Sequence, residues 1–138
     1  MDALTVERFE ERMAELCLRS GMAGFPRKRL DQHILLKSIV LTLDRDKDYT
    51  ERQISDKLAY WLVDICSAID LDHVTLRRLL VDTGYLVREA DGSRYRVADP
   101  VGTEGMFAPE VDSVDVYESI GRALKRDAER KKAFAADP

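Results

Sequence analysis

The stretch that decides the fold is Asp72–Val97, DHVTLRRLLVDTGYLVREADGSRYRV. Apolar residues recur at helical spacing from Leu76 to Leu80, after an aspartate that is suited to cap a helix. Gly84 follows that helix at the position where a glycine commonly ends one. Asp91-Gly92 then separates two alternating runs, the strongest short-range signal for a β-hairpin. The stretch is therefore predicted to form a helix, a glycine stop and a hairpin.

A turn at 91 and 92 fixes the register of that hairpin. Leu86 then faces Val97, Arg88 faces Tyr95, and these four side chains share one face. Leu86 and Val97 are expected to pack on the helices, with the Arg88 guanidinium against the Tyr95 ring. The opposite face carries Tyr85, Val87, Glu89, Arg94 and Arg96, and Glu89 is expected to neutralise Arg94 in part.

An amphipathic helix is predicted near the amino terminus. Thr5 is a candidate N-cap, and apolar residues recur at helical spacing to about Arg19. Gly21 and Gly24 are expected to stop this helix.

Two more helices are predicted before Asp72. One continues from Leu30 to Leu43 and is apolar nearly all round in its second half, which indicates burial. The next begins at Thr50, and Gln53 stands three residues on, at the spacing of a capping box. Trp61 on the apolar face of this helix is expected to be a core or interface anchor.

The order of these elements predicts a mainly helical fold with a small β-hairpin. It is the order of a winged helix-turn-helix, flanked here by N-terminal and C-terminal helices. Four units are expected: an N-terminal amphipathic helix (1–24), a winged-helix domain (25–98), an acidic linker (99–112) and a C-terminal helix (113–138).

The C-terminal part is predicted from a change in pattern after Val97. Met106 and Phe107 are expected to pin the linker to the domain, and Asp112 or Ser113 is predicted to cap the last helix. Its apolar stripe is expected to dock on the N-terminal helix or on a second subunit, which makes a homodimer through the terminal helices one expected assembly. The predicted stripe consists of Tyr117, Ile120, Leu124 and Ala128.

The composition is that of a soluble globular protein, with 45% hydrophobic and 35% charged residues in 138. No apolar run approaches the ~20 residues of a membrane span, and the acidic N-terminus is unlike a signal peptide, so a cytoplasmic location is expected.

Cys17 and Cys66 lack a CxxC partner and are expected to be buried thiols. A zinc site that joined them to His33 and His73 would need four scattered ligands, so no metal or cofactor is expected.

Several short motifs occur in an informative order: FPRKR (25–29), YTE (49–51), TLRRLLVD (75–82), GYLVR (84–88) and DGSRY (91–95). With them, residues from about 25 to 97 resemble the bacterial winged-helix family catalogued as domain of unknown function 2087. The resemblance implies a small helical domain with a wing, often found beside transcription-regulator or acyltransferase modules, and no established activity. Here 23 residues separate Glu51 from Thr75, more than the family's usual connection. A longer middle helix or an inserted helical turn is therefore expected.

Candidate binding residues come from three places. Arg77 and Arg78 stand on the helix 72–83, which would enter a major groove, where arginine can bridge guanine edges. The structural alternatives are an ion pair of Arg78 with Asp82, or of Arg77 with an acid of residues 44–51. The other candidates for contact with nucleic acid are Arg94 and Arg96 on the wing (85–98), and the cluster Arg27, Lys28 and Arg29.

Two functions follow from these residues. The first is a DNA-binding or transcription-regulator-like module that recognises double-stranded DNA. The second is a protein-protein adaptor without nucleic-acid binding, which is favoured by the net charge of −4, by five acids between Glu104 and Glu118, and by the outward Val74 and Val81. An enzyme is not expected, because the sequence has no catalytic triad motif, glycine-rich phosphate loop or metal-ligand spacing.

Overall fold

The computed structural model describes residues 3–19, 25–67, 69–99 and 105–136. The α-helices are α1 (Val6–Ala14), α2 (Arg29–Leu41), α3 (Glu51–Tyr60), α4 (His73–Asp82) and α5 (Val116–Ala136). The strands are β1 (Leu86–Arg88) and β2 (Tyr95–Val97), and a 3-10 helix covers Pro109–Ser113. These elements confirm the predicted fold class, a mainly helical protein with a small hairpin. The predicted helix stops Gly21 and Gly24 lie outside the described residues.

Two helices continue as π-helical segments, α1 over Glu15–Arg19 and α3 over Trp61–Ile65. The second segment accounts for the long interval between Glu51 and Thr75, because it adds a helical turn before the loop that leads to α4. The prediction of a longer middle helix is thus confirmed. Trp61 and Ile65 are buried within this segment, so the added turn is part of the core.

The predicted N-caps of α1, α3 and α4 are confirmed. The Thr5 hydroxyl accepts the N–H of Arg8 at 3.3 Å, and the Asp72 carboxylate accepts the N–H of Thr75 at 2.7 Å. At α3 the capping box is complete, since the Gln53 N–H donates to Thr50 and the Thr50 N–H donates to the Gln53 side chain. Each cap satisfies amide groups that the first turn of a helix leaves without partners.

The end of α4 has the geometry that directs the chain into the hairpin. Gly84 has φ 84°, and its N–H donates to the carbonyl of Val81. The N–H of Tyr85 donates to the carbonyl of Leu80 at 2.9 Å, which completes a Schellman motif. The wing therefore begins at a fixed angle to α4.

The wing has the predicted register: Leu86 pairs with Val97, Val87 with Arg96, and Arg88 with Tyr95. A third, one-residue strand was not predicted. Tyr49 and Tyr95 exchange both backbone hydrogen bonds at 2.7 Å, which attaches the segment before α3 to the edge of the hairpin. The sequence of helix α2, short strand, α3, α4 and two-stranded wing is that of a winged helix.

The terminal segments pack against each other at one side of this domain. The N–H of Leu4 donates to the Met106 carbonyl, and the Phe107 ring meets the Phe9 ring edge-on at 5.6 Å between centroids. Met106 and Phe107 thus pin the segment before α5, as predicted. The cap of α5 differs from the prediction, because Asp115 accepts the Glu118 N–H while residues 112 and 113 belong to the 3-10 helix.

The docking face of α5 also differs from the predicted stripe. Its buried residues are Val116, Ser119, Ile120 and Ala123, whereas Tyr117 and Leu124 are about half exposed and Ala128 is exposed. Glu10 of α1 contributes to the choice of this face, since its carboxylate accepts hydrogen bonds from both Ser119 and Arg122. The predicted docking of the last helix on the N-terminal helix is confirmed within one chain.

Cys17 and Cys66 are both buried free thiols, as predicted. The fold brings them together, although 49 positions separate them in the sequence. A hydrogen bond between the two thiols, together with burial, raises the pKa of Cys17 above its ordinary range. Both effects favour the protonated thiol, which is the unreactive form.

No helix in the described part of the chain is long and apolar enough to cross a membrane.

Candidate nucleic-acid interface

The helix α4 is held by its inner face and open on its outer face. Leu76 and Leu80 are completely buried against the core. Thr75, Arg78 and Asp82 are exposed, and their spacing of three and four residues places them on one outward face. This outward face is the part of α4 that another molecule can reach.

Arg78 is the exposed cation at the centre of that face. In the described ranges of the chain its guanidinium has no hydrogen bond and no ion pair, so the predicted alternative, a pair with Asp82, does not form. All five of its N–H donors are therefore free to bind a ligand.

Arg77 lies on the flank of α4 and is occupied by internal contacts. Its side chain is only 13% exposed, donates to the Ser55 hydroxyl at 2.7 Å and pairs with Glu51 at 3.2 Å. Its guanidinium also lies over the Tyr95 ring, 5.7 Å from the centroid. The predicted alternative, a pair with an acid of residues 44–51, is thus realised, and Arg77 joins α4 to α3 and to the wing.

The cation that lies over the Tyr95 ring is Arg77, whereas the sequence predicts Arg88. The Arg88 Nε instead donates to the Tyr95 hydroxyl at 3.2 Å, so the two residues remain a cross-strand pair. Gly92 in the turn is compatible with this pair, because a Cβ there would lie 2.4 Å from a guanidinium nitrogen of Arg88.

The outward face of the wing carries Arg94 and Arg96. Arg96 is exposed and has no ion pair with any described residue. Arg94 is 66% exposed and pairs with Asp48 at 3.5 Å, not with Glu89 as predicted. Glu89 and Arg94 are joined only by a backbone hydrogen bond. On the outward face of the wing, Arg96 is therefore the arginine without an ion pair to a described residue.

The cluster Arg27, Lys28 and Arg29 is fully on the surface at the start of α2. One turn further along α2, the Nδ1 of His33 lies 3.0 Å from the hydroxyl of Tyr85, the residue that follows α4. Burial, and to a lesser extent the charge of Arg29, lower the pKa of His33. The His33–Tyr85 contact places the basic cluster toward the carboxyl end of α4.

The structure also forms a groove that the sequence did not predict. It has a volume of about 500 Å³ and is lined mainly by Lys47, Tyr49, Asp56, Lys57, Tyr60 and Tyr117. These residues come from the loop before α3, from α3 and from the first turn of α5, so no local pattern connects them.

In the described residues, no group of three or more His, Cys, Asp or Glu side chains is placed to hold a metal ion.

Comparison with known proteins places this winged helix in a family. Residues 22–97, more than half of the chain, match the family described as uncharacterized protein conserved in bacteria (DUF2087). The chain belongs to this family. No curated protein and no solved structure matches it. The DUF2087 region covers α2 through β2, so α1 and α5 lie outside it.

Proposed function

We propose that this DUF2087 protein binds double-stranded DNA, with α4 in the major groove and the wing against the backbone. The observation that carries the proposal is the contrast between neighbours on α4. Arg77 is held inside the fold, whereas Arg78 points outward with all its donors free. A free arginine on the second helix of a helix-turn-helix is suited to contact guanine bidentately.

The other cations have supporting positions. Arg96 on the outward face of the wing is free to contact a phosphate, and Arg94 contributes less because Asp48 pairs with it. The exposed cluster of residues 27–29 would hold backbone phosphates beside α4. Arg77 is a positioning residue in this proposal, since it fixes the wing relative to α4.

We propose a binding protein, not an enzyme, because the sequence offers no nucleophile motif, phosphate loop or metal-ligand spacing. A cytoplasmic location in a bacterium, where DNA is accessible, is part of the proposal. The net charge of −4 means that affinity must come from a few placed cations rather than from the whole surface.

The test is the salt dependence of DNA binding by the full chain. Fluorescence anisotropy with a mixed-sequence duplex between 50 and 200 mM salt should give affinity that falls steeply with salt. We expect Arg96→Ala to reduce the slope of log K against log salt by about 0.9, one phosphate contact. Arg78→Ala should weaken binding to the preferred sequence by about 1–3 kcal/mol, roughly five- to 150-fold.

Arg8→Ala is the matched control, because Arg8 is an exposed arginine on α1, a helix that is not part of the proposed DNA-binding surface. This variant should bind like the wild type. Failure of a well-folded wild-type protein to bind any duplex at low salt would overturn the proposal. Equal binding by Arg78→Ala and Arg8→Ala would remove α4 as the reading element.

Binding of another protein is the second candidate function, and one observation favours it. Tyr60, Val63 and Tyr117 are 50%, 71% and 48% exposed, and the Tyr60 and Tyr117 rings lie 6.2 Å apart. This apolar surface lies on α3, its π-helical extension and α5, not on α4. A second copy is a partner that can be tested directly: sedimentation would detect a dimer, and Val63→Glu should dissociate it. A monomer in both samples would remove this surface as a self-association site.

A further inference from the structure

The helix α5 divides into two halves of different character. Its first half docks on α1 through Val116, Ile120 and Ala123, which are buried. Every residue from 124 to 135 is exposed except Asp127, which is half-buried. Leu124 and Phe134 are 52% and 85% exposed. The second half of α5 therefore extends beyond the body of the described protein.

This second half is strongly basic in an acidic protein. Residues 124–135 contain five cations, Lys125, Arg126, Arg130, Lys131 and Lys132, and two acids, Asp127 and Glu129, for a net charge of +3. Since the whole chain carries −4, the rest of it carries −7. The cationic charge is thus separated from the acidic body along one helix.

The cations surround the helix instead of forming one side of it. At 100° per residue, Lys125 and Lys132 fall together, Arg126 and Arg130 lie about a quarter turn or more away, and Lys131 lies on a third side. The docking face ends as well, because the heptad continuation of Ile120 and Ala123 is Asp127 and Arg130. A helix that binds a protein groove presents apolar anchors at such positions. A helix that is cationic all round is suited to a polyanion.

The same charges disfavour pairing of this half of α5 with its copy in a second molecule, since each would carry +3. The segment is also too short and too polar to be a stable helix by itself in water. Arg126 and Arg130, four residues apart, repel each other, which weakens it further. A neutralising ligand would relieve this repulsion and stabilise the helix.

We infer that residues 124–135 form a cationic arm that contacts DNA phosphates outside the surface made by α4 and the wing. This inference rests on the proposed function and extends it to a region beyond the DUF2087 match. The arm contributes affinity without sequence preference, because phosphate contacts carry no sequence information. In this division of roles, Arg78 supplies the preference for one DNA sequence over another, and the arm raises affinity by releasing counterions from the DNA.

The experiment uses the full chain with Lys125, Arg126, Arg130, Lys131 and Lys132 changed to Gln. The slope of log K against log salt should fall by about 2–4, as expected for loss of several phosphate contacts. Affinity should fall by a similar factor on every duplex, so that the preference for one sequence over another is retained. Arg78→Ala should do the reverse, with little change in slope and loss of preference.

A smaller matched pair tests whether position matters beyond total charge. Lys131→Gln/Lys132→Gln removes two cations from the arm, and Arg8→Gln/Lys57→Gln removes two exposed cations from the body. Only the first pair should lower the slope, by about 1–2. Amide hydrogen exchange over 124–135 should also slow when DNA is added to the wild type.

The outcomes separate the arm from the proposed function. If the five-site variant binds DNA with the wild-type slope, the arm is overturned and binding through α4 stands. If the five-site variant loses binding while Arg78→Ala and Arg96→Ala do not, the inference about the arm is supported and the proposed contact through α4 and the wing is overturned. If the arm substitutions instead dissociate a wild-type dimer and leave DNA binding unchanged, the arm contacts the acidic body of a second copy, which overturns the inference. Wild-type protein that binds no duplex overturns both.

Discussion

At the scale of single residues, Arg77 and Arg78 have opposite roles although they are adjacent and chemically identical. A helix turns by about 100° per residue, so neighbours on α4 face different surroundings. Arg77 faces α3 and the wing, where Glu51, Ser55 and Tyr95 surround its guanidinium. Arg78 faces outward. The sequence could predict that this pair was important and that Arg77 had a possible acidic partner in residues 44–51, but not its contacts with Ser55 and Tyr95, which are distant along the chain.

This contrast predicts different effects on stability. Arg77→Ala removes a hydrogen bond made by a charged group and a ring contact at a site that is 13% exposed. We expect it to lower the free energy of unfolding by about 1.5–3 kcal/mol, with the solvent-exposed Glu51 contributing little of that. Arg78→Ala should stay within about 0.5 kcal/mol of the wild type. Urea denaturation of both variants measures the difference, and equal losses would contradict the assigned roles.

At the scale of elements, the segment before α5 is held to the core by a buried cation. The Lys37 ammonium on α2 lies 2.6 Å from the Asp112 carboxylate, and the Lys37 side chain is 8% exposed. Arg45 also pairs with Asp112, at 3.1 Å. Lys37 loses hydration in this position, so it depends on Asp112 to compensate.

Removal of either partner should therefore have unequal effects. Asp112→Ala leaves the Lys37 ammonium buried without its carboxylate, and we expect a loss of about 1–3 kcal/mol, moderated because Asp112 is 46% exposed. Lys37→Met keeps the apolar stem and removes the charge, so its loss should be under about 1 kcal/mol. Thermal or urea unfolding gives the comparison. A loss in Lys37→Met as large as that in Asp112→Ala would contradict the expectation that an unpaired buried ammonium is what costs stability.

The elements that could be predicted from the sequence are those specified by neighbouring residues. The caps at Thr5, Thr50 and Asp72 and the hairpin register depend on spacings of a few residues, and all are confirmed. The strand at Tyr49 could not be predicted, because a single paired residue has no alternation and its partner is 46 positions away. The prediction of which face of α5 docks was wrong for a similar reason. Glu10, far along the chain, accepts hydrogen bonds from Ser119 and Arg122, and these bonds orient α5 against α1.

At the scale of the whole molecule, the acidic net charge conceals a division of charge between regions. The DUF2087 region supplies the fold and the free arginines of α4 and the wing, while α5 supplies a separate cationic segment. The candidate site could be predicted only as a set of cations. Which of them remain free depends on contacts such as Arg94 with Asp48, which arise only when the chain is folded.

Stability as a function of pH is a property of the whole molecule, and His33 predicts one part of it. His33 is 8% exposed, its Nδ1 lies 3.0 Å from the Tyr85 hydroxyl, and burial lowers its pKa in the folded protein. In the unfolded chain the pKa returns to about 6.5, so the unfolded state takes up a proton first as the pH falls. The free energy of unfolding should therefore be highest above pH ~6.5 and decrease between that value and the lowered pKa.

The matched variant is His33→Gln, which keeps a polar side chain beside Tyr85 but cannot titrate. Urea denaturation at intervals between pH 7.5 and 5 should give a decline for the wild type that is absent or much smaller for His33→Gln. Asp31, on the same helix as His33, does not contribute to this decline, because its hydrogen bonds with Arg12 lower its pKa below the ordinary aspartate value. Parallel declines in the two proteins would assign the effect to other groups. A decline confined to the wild type would mean that protonation of this one side chain, at the contact joining α2 to the residue after α4, weakens the support of the proposed reading helix.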